Sequence, residues 1–130
     1  MRFLSMIRLE EKGQKPSERL MREMGALMEE AIKEGYLIRT AGLRPTSEGV
    51  RVRSNYGAIS QVDGPFTETK EVIGGYAVIE AESMAQAIEF TKRFLAVHGD
   101  EFDLTCEVRP LDGGVEWGPM TVEADWGHVR

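Results

Sequence analysis

The feature that most constrains this chain is a set of strand-like runs that are apolar on both sides. In residues 2–9 (RFLSMIRL) Phe3 and Ile7 fall on one face and Leu4 and Met6 on the other, and Gly75 to Glu80 (GYAVIE) again lacks a polar face. Side chains alternate across a strand, so such runs need cover above and below. Helical periodicity supplies some of that cover. Leu20, Met24, Leu27, Met28 and Ala31 recur at helical spacing behind Pro16-Ser17, with Gly35 as the stop. Proline suits a first helical turn, serine caps it, and glycine ends it. Ser83 and Gln86 form a capping box for a second helix, with Ala87, Ile88, Phe94 and Leu95 as its apolar side and His98-Gly99 at its end.

Between these segments the pattern is that of strands and turns. Residues 36–41 form a strand closed by Gly42 and Pro45. Val50 and Val52 alternate with Arg51 and Arg53, Asn55-Tyr56-Gly57 turns the chain, and residues 58–62 return. Residues 63–74 read as a charged loop. In the last strand, 104–110, Leu104, Cys106 and Val108 share one face and Thr105, Glu107 and Arg109 the other. The order strand, helix, strand, hairpin, strand, helix, strand predicts an α+β fold: a ferredoxin-like split β-α-β sheet with an inserted hairpin and both helices on one face. The second face would then leave several hundred Å² of apolar surface bare, which stable monomers avoid. A second copy is the economical cover, so a homodimer is expected.

Charge narrows the function classes. With 22 acidic and 16 basic residues the chain carries a formal −6, which argues against nucleic-acid and anionic-membrane partners. No apolar run approaches the roughly 20 residues that span a bilayer, and Met1-Arg2-Phe3-Leu4 reads into a strand rather than a signal peptide, so a cytoplasmic location is expected. Cys106 is the single cysteine, which excludes an intramolecular disulfide and a Cys-pair zinc site. No cofactor is expected: Gly74-Gly75 leads into a strand rather than a phosphate-binding helix, and His98 and His128 do not form a two-His helical metal motif.

The candidate site centres on residues 63–71. Asp63 leads a Gly-Pro turn, where it either builds the turn through its carboxylate or serves as a general base at a rigid loop mouth. Phe66 is placed to anchor the loop. Glu68, Lys70 and Glu71 are either a solvated charge run or the rim of a cleft, with Lys70 gripping an anionic ligand or a loop carboxylate. Tyr76 opens a strand facing the dimer interior, where its hydroxyl meets a buried partner or a ligand. Glu107 and Arg109 pair with each other or across the barrel, and they signal either a polar cavity or a solvent-facing edge.

The run Asp63-Gly64-Pro65-Phe66, continued by Glu68, Lys70-Glu71 and Gly74-Gly75-Tyr76, resembles the DGPF-motif branch of the YCII-related family. Gly42-Leu43 with Pro45 and Glu107-Val108-Arg109-Pro110 extend the likeness, which covers residues 1–111 and leaves 112–130, with Trp117 and Trp126, as a C-terminal extension expected to pack on the dimer. The resemblance implies a dimeric α+β barrel with a cleft between sheet and loops. Another branch contains a dehydrochlorinase that uses a histidine on the first helix, but residues 17–34 hold none, so that chemistry does not carry over. Two functions stay open: a small-molecule enzyme or binding protein with its cleft at this loop, and a non-catalytic interaction or regulatory module of the kind found beside sigma-factor systems.

Overall fold

A computed structural model describes residues 1–112. The elements are β1 (Arg2–Leu9), α1 (Glu18–Glu34), β2 (Leu37–Gly42), a single 3-10 turn at Thr46–Glu48, β3 (Val50–Asn55), β4 (Ala58–Asp63), β5 (Val72–Glu80), α2 (Met84–His98) and β6 (Thr105–Pro110). Their ends follow from local chemistry. The Ser17 hydroxyl accepts the Leu20 N–H at 3.1 Å, and Gly35 stops α1 in the left-handed region at φ 84°, a conformation that glycine adopts without cost. Ser83 caps α2 by accepting from the Gln86 N–H. The Gln86 side chain reaches one residue further back than a capping box requires, to the Glu82 N–H at 2.7 Å.

Four strands form one antiparallel sheet in the order β2-β5-β1-β6, while β3 and β4 make a separate two-stranded ribbon. Since β1 and β2 both run antiparallel to β5, they are parallel to each other, and β5 and β6 are parallel by the same argument. That is the order and direction expected of a split β-α-β sheet. The inserted hairpin does not join it.

Register divides the sheet into two faces. Phe3, Ser5 and Ile7 align with Ile79, Ala77 and Gly75 of β5 and with Pro110, Val108 and Cys106 of β6. The core lies on this side. Phe3, Leu37, Ile79, Ala31 of α1 and Ala87 of α2 are buried together, with Met28, Ile32, Phe90 and Val108 packed around them, and the Tyr36 ring stacks on Phe90 at 3.8 Å. Ile88, expected on the apolar side of α2, is 40% exposed; Phe90 supplies the contact instead.

The second face carries Leu4 and Met6 of β1 beside Val78 and Tyr76 of β5, flanked in register by Arg109 and Glu107. These apolar groups are less bare than their pattern predicts. Val78 is buried, and Leu4, Met6 and Tyr76 are half-buried. Arg2, Arg8 and Arg39 neighbour them, and long arginine stems shelter apolar neighbours while their heads stay polar. The three most exposed large apolar side chains among the described residues lie on the ribbon instead: Tyr56, Ile59 at 70% and Val52 at 69%.

Candidate functional site

Three segments outside the sheet meet at Thr46. The Glu11 carboxylate, on the chain leaving β1, accepts both the Thr46 N–H at 2.9 Å and the Thr46 hydroxyl. The same hydroxyl accepts the Phe66 N–H at 3.3 Å. Nearby, the Gly64 N–H donates to the Gly49 carbonyl at 2.9 Å. A side chain at position 64 is impossible without rearrangement, because a Cβ there would stand 1.6 Å from the Thr46 carbonyl oxygen. Glycine in this loop is therefore a matter of close approach between two backbones.

Arg51 secures the other end of the loop. Its guanidinium lies 3.9 Å above the Phe66 ring, donates to the Thr69 hydroxyl at 2.9 Å and pairs with Glu68. Hydrogen bonds hold two of these carboxylates below their usual range. Glu11 is lowered by the Thr46 hydroxyl and then by the Thr46 N–H, and Glu68 by its own backbone N–H and then by Arg51.

These ties shape a groove of about 740 Å³ between the loop and the sheet. Phe66, Val50 and Arg51 stand on one side, Met6, Arg8, Glu107 and Arg109 come from the sheet, and Leu43 to Thr46 with Glu71 to Ile73 complete it. A second groove of about 550 Å³ shares Leu43 to Thr46 and Glu71 to Ile73 and adds Lys70, Glu10, Glu11 and Lys12. Internal pairing uses up much of the charge. Arg8 bonds Glu107 at 3.2 Å and Arg44 bonds Glu48 at 2.9 Å. Arg109 and Glu71 are left without a side-chain hydrogen bond or ion pair among the described residues. The space between the helices and the sheet, about 60 Å³, is lined mainly by apolar side chains such as Leu27, Ala31, Ile79 and Phe94. Two of its hydroxyls, Thr40 and Thr91, are already bonded to backbone carbonyls.

The candidates from sequence therefore separate. Phe66, Glu71 and Arg109 come together in the larger groove, and Lys70 joins Glu71 in the smaller. Glu68 is engaged by Arg51. Tyr76 sits half-buried on the second face beside Met6. Asp63 ends β4 opposite Val50, exposed, lining neither groove, and its carboxylate accepts no hydrogen bond among the described residues. Glu107 pairs across the sheet with Arg8 rather than with Arg109. His98, in the last turn of α2, bonds the Phe94 carbonyl at 2.9 Å. No cluster of three or more metal-ligating side chains occurs among the described residues. Burial pushes the Cys106 thiol up, with the Ser5 hydroxyl pulling the other way, so the thiolate is disfavoured. Among the described residues no helix is long and apolar enough to cross a membrane. The expectation for Trp117 and Trp126 lies outside the described residues.

Sequence reasoning missed Glu11, Thr46 and Arg51. Their roles depend on partners 17 to 35 positions away, and in sequence Arg51 shows only as part of the valine–arginine alternation of a hairpin strand.

Comparison with known proteins adds two findings. The YCII-related domain matches residues 1–102. An uncharacterised protein of Rhizobium meliloti is 33% identical over 94 residues, which is 72% of this chain and 74% of that protein.

Proposed function

The chain belongs to the YCII-related domain family, and on that premise we propose that it is a homodimeric protein that binds a small charged molecule in the 740 Å³ groove. The observation that carries this reading is the charge left over in the groove: Arg109 and Glu71 face it unpaired among the described residues, while Arg8, Glu107, Arg44 and Glu48 neutralise one another. Arg109 takes an anionic group of the ligand, since a guanidinium presents several donors to a carboxylate or phosphate. Glu71 takes a donor at the other side, and Met6, Phe66 and Val72 contact the apolar part. Lys70 attracts anions at the neighbouring rim. Asp63 serves as the strand end that launches the loop, and its use as a base would require a ligand reaching beyond the groove walls.

The Asp63-Gly64-Pro65-Phe66 run supports placement in the DGPF-motif branch. The apolar centre of the second face, Leu4, Met6, Tyr76 and Val78 with charges around it, has the make-up of an interface core and rim and supports pairing of two subunits as a dimeric α+β barrel. Binding is tested by a thermal-shift screen of small carboxylates, phosphates and zwitterions, followed by calorimetry on each hit. Arg109→Gln should weaken the hit by about tenfold or more, and Asp63→Asn should leave it unchanged. A ligand whose affinity survives both Arg109→Gln and Glu71→Gln would remove the groove from consideration. The reading as a non-catalytic interaction module has one observation in its favour, the exposed ribbon β3–β4.

A further inference from the structure

Across the middle of the four-stranded sheet, the side chains that face the helices are small. Register aligns Thr40 of β2, Ala77 of β5, Ser5 of β1 and Val108 of β6 in one row. The neighbouring row, Leu37, Ile79 and Phe3, is large and buried. Helices that rest on the tall row stand off from the short one. A gap of about 60 Å³ remains over Ser5 and Ala77, bounded by Leu27 and Met28 of α1 and by Phe90 and Phe94 of α2. The exposure of Ala77 marks it: this residue lies on an inner strand and faces the core, yet it is only half-buried. Ala31, Leu37 and Ile79 in the wall are buried, while Ile7, Leu27, Thr40 and Phe94 are half-buried, so the gap reaches solvent.

Polarity identifies the occupant. The gap has room for a few waters at ~10–15 Å³ each, but a buried water needs several polar partners. Here the hydroxyls are already committed. Thr40 donates to the Tyr76 carbonyl at 3.0 Å, Thr91 donates to the Ala87 carbonyl at 2.8 Å, and Ser5 is engaged with the Cys106 sulfur. Among the described residues no charged side chain lines the gap, so an ion entering it would lose its hydration without compensation. Interiors are otherwise close-packed, and atoms that border a void forfeit dispersion contacts which an apolar guest restores. We propose that the gap between the helices and the sheet is a binding site for a small uncharged apolar molecule, about the size of a single aromatic ring, seated on Ala77 and Ser5 between Leu27 and Phe94. Its inner part fills the gap and the remainder lies toward the open end. The site is separate from the charged groove and does not rest on it. The groove takes Met6, Arg8, Glu107 and Arg109 from the second face of the sheet, whereas the gap takes Ser5, Ile7 and Ala77 from the first.

Toluene is the probe. Titrated into the full chain and followed by amide and methyl NMR, it should give saturable shifts at Ala31, Ala77, Ile79 and Thr91 and none at Glu71 and Arg109, with a rise in melting temperature as the guest favours the folded state. Ala77→Val fills part of the gap and suits a strand. It should weaken toluene by about tenfold or more while leaving the melting temperature unchanged or raised, as cavity filling does. Leu27→Trp, at a half-buried helix position, blocks the open end and should weaken toluene likewise; it decides the matter where Ala77→Val does not fold. Arg109→Gln should leave toluene affinity unchanged whatever becomes of the groove. Shifts that do not saturate, or saturable shifts that persist at full affinity in the folded variants, would overturn the site. Ordered water detected at the Ala77 methyl and not displaced by toluene would also overturn it, with the gap assigned to solvent.

Discussion

The four-stranded sheet and the β3–β4 ribbon are written in the same alternating apolar code, yet Phe3 on β1 is 1% exposed and Val52 on β3 is 69% exposed. Alternation determines which side chains share a face; burial depends on whether another element lies against that face. Both helices of the described residues pack on one side of the four-stranded sheet, and the ribbon receives neither. The contrast also separates two kinds of stability. The sheet is held by apolar burial, and the ribbon by its own ladder and by the Arg51 contacts at its base.

The strongest test of that contrast is Phe3→Ala. Emptying a fully buried aromatic site costs about 3–5 kcal/mol, measured by urea unfolding, and a loss under about 1 kcal/mol would mean the sheet core is not the stabilising element. Gly64→Ala probes the junction of the two regions. The added methyl would meet the Thr46 carbonyl, so a destabilisation of about 1–3 kcal/mol is expected, together with faster hydrogen exchange at Phe66 and Gly49. An unaltered exchange pattern would show that the loop does not rest on the 3-10 turn.

Acid should loosen the junction before the sheet. The carboxyl groups of Glu11 and Glu68 have folded-state values below their unfolded ones. Their contribution is therefore complete above the ordinary carboxylate range, near pH 4 to 4.5, and is lost as pH falls below it. Both groups are solvent-exposed, so the effect is small and sensitive to salt. Amides at Thr46, Phe66 and Thr69 should lose protection in that window while those of β1 and β5 keep theirs. Simultaneous loss in both regions would contradict the separation. Val52→Ala has the smallest expected effect: at an exposed position it should change unfolding free energy by no more than about 0.5 kcal/mol.

Much of the fold is legible from local chemistry. Residues 2–9, the Ser17 cap, the Gly35 stop and the turn at Asn55 to Gly57 can all be read from near neighbours in sequence, and each corresponds to an observed boundary. Failures occur where distant residues decide. Val72 to Gly74 looks like the end of a charged loop, yet it extends β5 by pairing with β1 across an irregularity in register between Ile7 and Arg8. Alternation alone puts Arg2 and Arg8 on the second face with Leu4 and Met6, but sequence does not reveal that β2 brings Arg39 beside Val78. In the groove, Phe66, Glu71 and Arg109 were recognisable as chemistry-bearing residues, but the closing contact from Glu11 to Thr46 spans 35 positions and carries no local pattern.

β1 lies between β5 and β6, the last two strands of the sheet. During synthesis its backbone donors and acceptors must therefore wait for partners that begin 63 residues after its own end at Leu9. At cellular elongation rates that interval lasts on the order of several seconds. A stretch such as Phe-Leu-Ser-Met-Ile is then an unpaired, apolar segment on a nascent chain, and this protein's demand for chaperones should be greatest before residue 72 emerges from the ribosome.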